Sequence, residues 1–390
     1  MDPIRAVLKM RRPAGHKPDF ERFARTITHR EPGPVPIGDL FADLETVGNY
    51  QGQRVLDQAA IAADPEHKIG PKDVRDALRY VDQTIHFCLG TGWDYAYSFS
   101  SILFPGQAYQ LANNTSAELA NLPGGEGRQR YWIDDNRGPI GSWDDFERYP
   151  WPQSVALTNL ASRVMAKRVP DGMKVMVIPG GVFEWTTWLM GLVPFCYALV
   201  DQPDLVDAVI EKVAGCIYAV VEDLMGEETI GGIFMGDDLG YASGTIVSPQ
   251  TLRKKFLPQT QRIVDLVHDA GKLFLFHSCG DMYAVMDDLI EMGIDAKHSF
   301  EDKILPVEQA YERWSDRVAI VGGVDVHLLA SGTEEQVRTR TRQILDACGP
   351  GGGYVLGTGN SVANYIPLRN YLAMVDEGQQ WNREHFRRER

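Results

Sequence analysis

Residues 231–280 read GGIFMGDDLGYASGTIVSPQTLRKKFLPQTQRIVDLVHDAGKLFLFHSCG. GGIFMGDD (231–238) and KLFLFHSC (272–279) are short apolar runs that end in polar groups, the mark of strands. Between them, Ser248 is placed to cap a helix and Pro249 to open it. A helical pattern then runs toward Ala270, is interrupted at Pro258, and is stopped by Gly271. Strand, helix, strand at this spacing predicts a parallel crossover unit.

Moving outward, the rhythm repeats. Met282 to Met292 is amphipathic, with Gly293 as its stop, and DAKHSF (295–300) is the next strand. LPVEQAYERW forms a helix, VAIVGGVD (318–325) a strand, and TEEQVRTRTRQILDAC a helix opened by Thr333. YVLGTGNS (354–361) is the last strand, followed by a helix from Arg369 to Glu377. Upstream, VPIGD (35–39), DYAYSF (94–99) and KVMVIPG (174–180) are strand candidates. About eight strands alternating with helices predict an α/β fold, a (β/α)8 TIM barrel. QRYWIDDNRGPIGSW (129–143) breaks the rhythm and reads as an inserted hairpin turning at Asn136-Arg137-Gly138. An open doubly wound sheet would need a glycine-rich phosphate loop after an early strand, and no G-x-G-x-x-G stands there. The expected organisation is an N-terminal extension (1–19), a single barrel (20–380) and a basic tail (381–390).

The formal net charge of the 390-residue chain is −14. A surface this acidic repels phosphate backbones, which excludes nucleic acid as the expected partner. The five cysteines, Cys88, Cys196, Cys216, Cys279 and Cys348, form no C-x-x-C pair. That pattern argues against a disulfide framework and for a reducing cytoplasm. MDPIRAVLKMRR lacks the uninterrupted apolar core of a signal peptide. No run approaches the ~18 apolar residues that span a bilayer. A small-molecule enzyme without a membrane partner is the expectation.

In a barrel the chemistry sits where the strands end at their C-terminal side. Those ends carry Asp39, Glu184 after Pro179-Gly180-Gly181, Asp237-Asp238, His277-Ser278-Cys279-Gly280, His298, Asp325 and Asn360. His277 and Cys279, two apart on a strand, point the same way and form a pair suited to zinc. A third donor must come from Glu184, Asp237, Asp238 or a substrate thiol. A structural histidine beside an inert buried thiol is the competing reading. Of the adjacent carboxylates Asp237 and Asp238, at most one faces the mouth, as acid/base or as a partner for His277, and the other caps a turn. Glu184 is a further acid/base candidate. Trp185, Asp325, Asn360 and His298 are candidate substrate contacts. In GGVFEWTTW the glycines allow close backbone approach and Trp185 offers an aromatic wall.

The run GDDLGYASGTIVSPQ…GKLFLFHSCGDMYAVMDDLIEMGID, with WIDDNRGPIGSWDDFERYPWP and GTGNSVANYIPLRNY, resembles the uroporphyrinogen decarboxylase superfamily from about Phe20 to near the C-terminus. Within it, the chain looks most like the branch containing the corrinoid-linked methyltransferases. The resemblance implies the same (β/α)8 barrel. The sequence departs from the family pattern at two places. True uroporphyrinogen decarboxylases carry an Arg-rich motif of the type P-V-W-x-M-R-Q-A-G-R-Y that holds the substrate carboxylates, and here the region reads GPVPIGDLFADLETVG without arginine. The thiol-activating methyltransferases add a later cysteine to the His-x-Cys pair, and here Thr358 stands in its place. The expected function is therefore a metal-assisted methyltransferase or demethylase of a small methylated compound, with zinc at His277 and Cys279 and a corrinoid protein as methyl acceptor. The alternatives are a metal-independent decarboxylase of an organic acid and a non-catalytic binder of a corrinoid or tetrapyrrole.

Overall fold

The computed structural model describes residues 17–386 apart from 29–30, 53–70, 103, 107–108, 112–130, 153–154 and 157. Seven strands form one parallel sheet in chain order: β1 (Tyr95–Phe99), β2 (Lys174–Ile178), β3 (Ile230–Gly236), β4 (Leu273–His277), β5 (Ala296–His298), β6 (Ala319–Val321) and β7 (Tyr354–Val355). Ile37 bridges in parallel to Trp93, just ahead of β1, and to Leu356, just after β7. The 35–39 segment thus fills the eighth position and closes the ring. It is no regular strand, because Pro34 and Pro36 lack the N–H groups a ladder needs. Pro36 accepts through its carbonyl from Leu356 N instead, at 2.9 Å. All seven residues of β3 and all five of β4 are buried. Helices cover the outside and side chains fill the inside, so these strands are apolar throughout rather than alternating.

The crossover between β3 and β4 shows how the sequence sets local geometry. Ser248 accepts from Thr251 N as an N-cap, with Pro249 first in the helix. The expected break at Pro258 takes the form of a π-turn over Leu252–Phe256, continued by an α-helix over Leu257–Asp269. A proline ring clashes with the carbonyl four residues back and donates no hydrogen bond, and one wider turn relieves both problems. Thr333 and Gln336 complete a reciprocal capping box on the Glu334–Cys348 helix.

Two features differ from the sequence reading. Tyr131–Ile133 pairs antiparallel with Tyr109–Leu111, so the inserted ladder does not turn at Asn136–Gly138. Asp134 gathers that turn, accepting from Asn136 N at 2.9 Å and from Arg137 Nε at 2.7 Å. Ile140 N then bonds to Leu189 O at 3.0 Å, which ties the segment to the helix after β2 rather than folding it back. The last helix runs Leu368–His385 and buries Trp381 at 1% exposure, so the core reaches past residue 380. Residues 1–16 of the expected extension and 387–390 of the expected tail lie outside the described residues. Across the N-terminal ends of the strands lies the Phe20–Thr28 helix, with Arg22 paired to buried Asp94 at 2.6 Å. No single described helix is long and apolar enough to cross a membrane.

Candidate active site

Register brings the site together. Gly236 of β3 stands opposite His277 of β4, which stands opposite His298 of β5. The loops after β3 and β4 are laced to each other. Leu239 N donates to Ser278 Oγ at 2.9 Å, Asp281 N to Tyr241 O at 2.7 Å, and Cys279 N to Asp238 Oδ1 at 2.7 Å. Gly280, at φ 72°, lies against Gly240, where a Cβ would stand 2.5 Å from the Gly240 carbonyl carbon. Only glycine permits this closeness. The lacing holds Asp238 and Cys279 beside the ring of His277.

His277 Nε2 is 3.4 Å from Cys279 Sγ and 3.6 Å from Asp238 Oδ1. The ligand atoms of the three residues lie within 4.8 Å of one another. Asn360, from the loop after β7, brings Nδ2 to 2.9 Å from Cys279 Sγ. Behind His277 runs a buried chain. His277 Nδ1 is 2.8 Å from His298 Nδ1, and His298 Nε2 is 3.3 Å from Thr358 O and 3.4 Å from Asp39 Oδ1. Asp39 accepts from Thr358 N at 2.8 Å and Leu40 N at 3.0 Å.

The electrostatics are set by burial and by crowded acids. Burial, with Asp238 and Asp237 nearby, raises the Glu184 carboxyl well above the usual range. Burial lifts Asp237 to about 7 and also raises Asp238, which the Cys279 N–H bond partly holds down. Burial and the neighbouring acids Asp238, Glu301 and Glu184 push the Cys279 thiol well up. Burial, aided by His298 and Lys297, lowers His277, and burial takes His298 down to about 3. Lys297 is fully buried and lowered to about 7, and its Nζ is committed to the carbonyls of Ser278, His298 and Ser299 at 2.6–3.1 Å. The pocket thus holds acids and a thiol with little positive charge to balance them.

The donor set fits a metal such as zinc. Zinc bonds of about 2.0 Å to nitrogen or oxygen and about 2.3 Å to sulfur, at tetrahedral angles, set N···S and N···O edges of about 3.3–3.6 Å. The spacings at His277 Nε2 match those edges. Of the third donors left open by the sequence, the fold brings Asp238. Thr358, at the position of the family's later cysteine, offers no ligand in its place. Its backbone binds Asp39 and His298, and its Oγ1 accepts from Asn360 N at 3.3 Å.

The other expected residues divide. Asp237 is not aimed at the cluster. Its carboxylate accepts from Phe183 N at 3.0 Å and Glu184 N at 2.8 Å, capping the Val182–Met190 helix whose own N-cap, Gly181, has no side chain. A Cβ on Gly181 would stand 2.2 Å from Asp237 Cγ, which is why the glycine is there. Glu184 sits one turn into that helix beside Asp238. Trp185 is 4% exposed, packed on Phe104 and Trp188 with ring centroids 5.0 and 4.9 Å away, so it belongs to the core rather than to an open wall. Asp325 caps the Val326–Ser331 helix through Leu328 N, on another loop, and makes no contact with the cluster among the described residues. His298 stands behind His277, out of reach of a substrate at 0% exposure. Two participants escaped the sequence reading: Lys297 and Glu301, whose Oε1 accepts from Gly280 N at 3.2 Å. A lysine inside the buried run DAKHSF was the available signal.

The chain belongs to the uroporphyrinogen decarboxylase (URO-D) family, whose profile matches residues 136–381. It is 24% identical over 219 residues to the uroporphyrinogen decarboxylase of Anaeromyxobacter dehalogenans, covering 55% of this chain and 60% of that protein. It is 36% identical over 77 residues to that of Bordetella petrii, covering 19% of this chain and 21% of that protein. The chain therefore spans less than two thirds of the length of these relatives. A solved structure, a methyltransferase from Methanosarcina mazei, superposes with a TM-score of 0.64 at 15% identity over 92% of this chain and 98% of that one. The fold is shared with it.

Proposed function

We propose that the protein is a metal-assisted methyltransferase or demethylase acting on a small methylated compound. One observation carries this reading: a nitrogen, a sulfur and a carboxylate oxygen converge within 4.8 Å at the mouth of the barrel. His277, Cys279 and Asp238 would hold zinc, which when bound supplies Lewis acidity to a leaving group or an incoming nucleophile. The rest falls to the chain. Asn360 donates to Cys279 Sγ and so favours the thiolate over the thiol. Glu184, whose carboxyl is raised well above the usual range by burial and by Asp238 and Asp237, serves as general acid to the heteroatom that loses its methyl group. The arginine-free segment 33–48 offers no fork for the carboxylates of a porphyrinogen, which favours a smaller substrate. A corrinoid protein is the proposed methyl acceptor.

Elemental analysis of protein purified without chelator tests the reading. Near-stoichiometric zinc in the wild type, lost in both His277→Ala and Cys279→Ala, supports it. A wild type that takes up no zinc even when the ion is added back sinks it. The buried Glu184 carboxyl, raised above the usual range beside Asp238 and Asp237, favours one second reading, a carboxy-lyase of a small organic acid in which Glu184 protonates the carbanion left by CO2. Zinc-free protein that still releases CO2 would establish that alternative.

A further inference from the structure

We infer that His298, held by Thr358 and Asp39, is a positioning residue that fixes His277 in the Nδ1–H form, so that the bare Nε2 lone pair faces Cys279 and Asp238.

The inference follows from which atoms can donate. The carbonyl oxygen of Thr358 can only accept, so His298 Nε2, 3.3 Å away, carries a hydrogen. His298 is wholly buried, where a second ring hydrogen would make an unsolvated cation, so its Nδ1 carries none. The 2.8 Å contact between the two Nδ1 atoms then has a single direction, from His277 to His298. His277, buried as well, holds its single ring hydrogen on Nδ1 and so keeps Nε2 bare, and Nε2 is the atom 3.4 Å from Cys279 Sγ. A hydrogen on Nε2 would occupy the position a metal needs.

The fold makes this arrangement rigid. Gly322, at φ 92°, lets the backbone close on the His298 ring, where a Cβ would stand 2.9 Å from Nε2 and 2.3 Å from Thr358 O. Thr358 is pinned in turn by its N–H bond to Asp39 Oδ2 at 2.8 Å. Asp39 is 1% exposed and lies 3.4 Å from His298 Nε2, a second group that holds the ring in this orientation. His298 cannot touch a substrate, so its effect passes through His277. Metal-binding histidines depend on such partners, whose loss typically costs about 10–100-fold in metal affinity. The consequence for zinc rests on the metal-site reading above, whereas the tautomer does not.

The test uses the full-length, metal-free protein carrying nitrogen-labelled histidine, with the His277 signals assigned from His277→Gln. Nitrogen NMR should show His277 protonated at Nδ1 and bare at Nε2. His298→Asn keeps an acceptor oxygen for His277 and should preserve that pattern, whereas His298→Leu should move hydrogen onto Nε2. Zinc affinity, measured by chelator competition, should fall about 10–100-fold in His298→Leu and much less in His298→Asn. A wild-type His277 protonated at Nε2 overturns the inference, and so does a His298→Leu variant that keeps the Nδ1–H form. Equal losses in the two variants would reduce His298 to a packing role and overturn it as well. If the wild type takes up no zinc, the metal reading falls alone, and the nitrogen spectra still decide the role of His298.

Discussion

Replacing Asp237 and Asp238 one at a time by asparagine tests whether two neighbouring carboxylates divide between structure and chemistry. Asp237 is 1% exposed, with one oxygen on Phe183 N and the other on Glu184 N. An amide has the same shape but one oxygen, so its NH2 must face one of those N–H groups. A buried N–H without an acceptor costs about 1–3 kcal/mol, and a weaker negative charge at the helix N-terminus adds about 0.3–1 kcal/mol. Asp237→Asn should therefore lose about 1–4 kcal/mol of the ~5–15 kcal/mol typical of a folded protein. Urea unfolding followed by tryptophan fluorescence should show a lower midpoint at unchanged slope, while zinc per folded chain stays at the wild-type level. Asp238 is the converse case. Its side chain is 29% exposed, and its one backbone bond, from Cys279 N, survives in an amide. Asp238→Asn should leave the midpoint in place and weaken zinc binding. Zinc lost at unchanged stability in Asp237→Asn, or wild-type zinc affinity in Asp238→Asn, would refute the division.

Two further outcomes follow from the buried acids. Asp39 stands at about 8 when folded against 3.8 for the free side chain, so between those values the folded state binds the extra proton. Its contribution to stability is complete below about pH 4 and weakens by about 1.4 kcal/mol per pH unit toward pH 8. In metal-free protein the wild-type stability measured relative to Asp39→Asn should decline across that window, and a flat difference would contradict the assignment. Glu184→Gln should lower turnover by roughly 10²–10⁴-fold and abolish the alkaline limb of the rate profile, because only the protonated acid of the wild type can donate. A variant with wild-type rates would remove Glu184 from the chemistry.

The sequence by itself determined the barrel and the neighbourhood of the site. Strand and helix periods are local, and caps such as Ser248 and Thr333 mark their own boundaries. Strand ends in a parallel barrel converge by topology, so His277, Cys279, Asp238 and Asn360 could be named from position alone. Two residues apart on a strand share a face, which already paired His277 with Cys279. What only the tertiary structure decided is who faces whom between strands. Asp237 and Asp238 are alike in sequence, yet one is taken by the N-terminus of the Val182–Met190 helix and the other by the loop after β4. Asp325 and Trp185 looked like site residues because they follow glycines near strand ends, but a helix N-terminus and an aromatic cluster claim them. The Asp39–His298–His277 chain joins the neighbouring strands β4 and β5 to the 35–39 segment far upstream in sequence, and lateral register is a property of the closed sheet. Hydrogen-bond direction depends on that register, because a nitrogen's proton is fixed by the atom opposite it, and no local pattern names that atom.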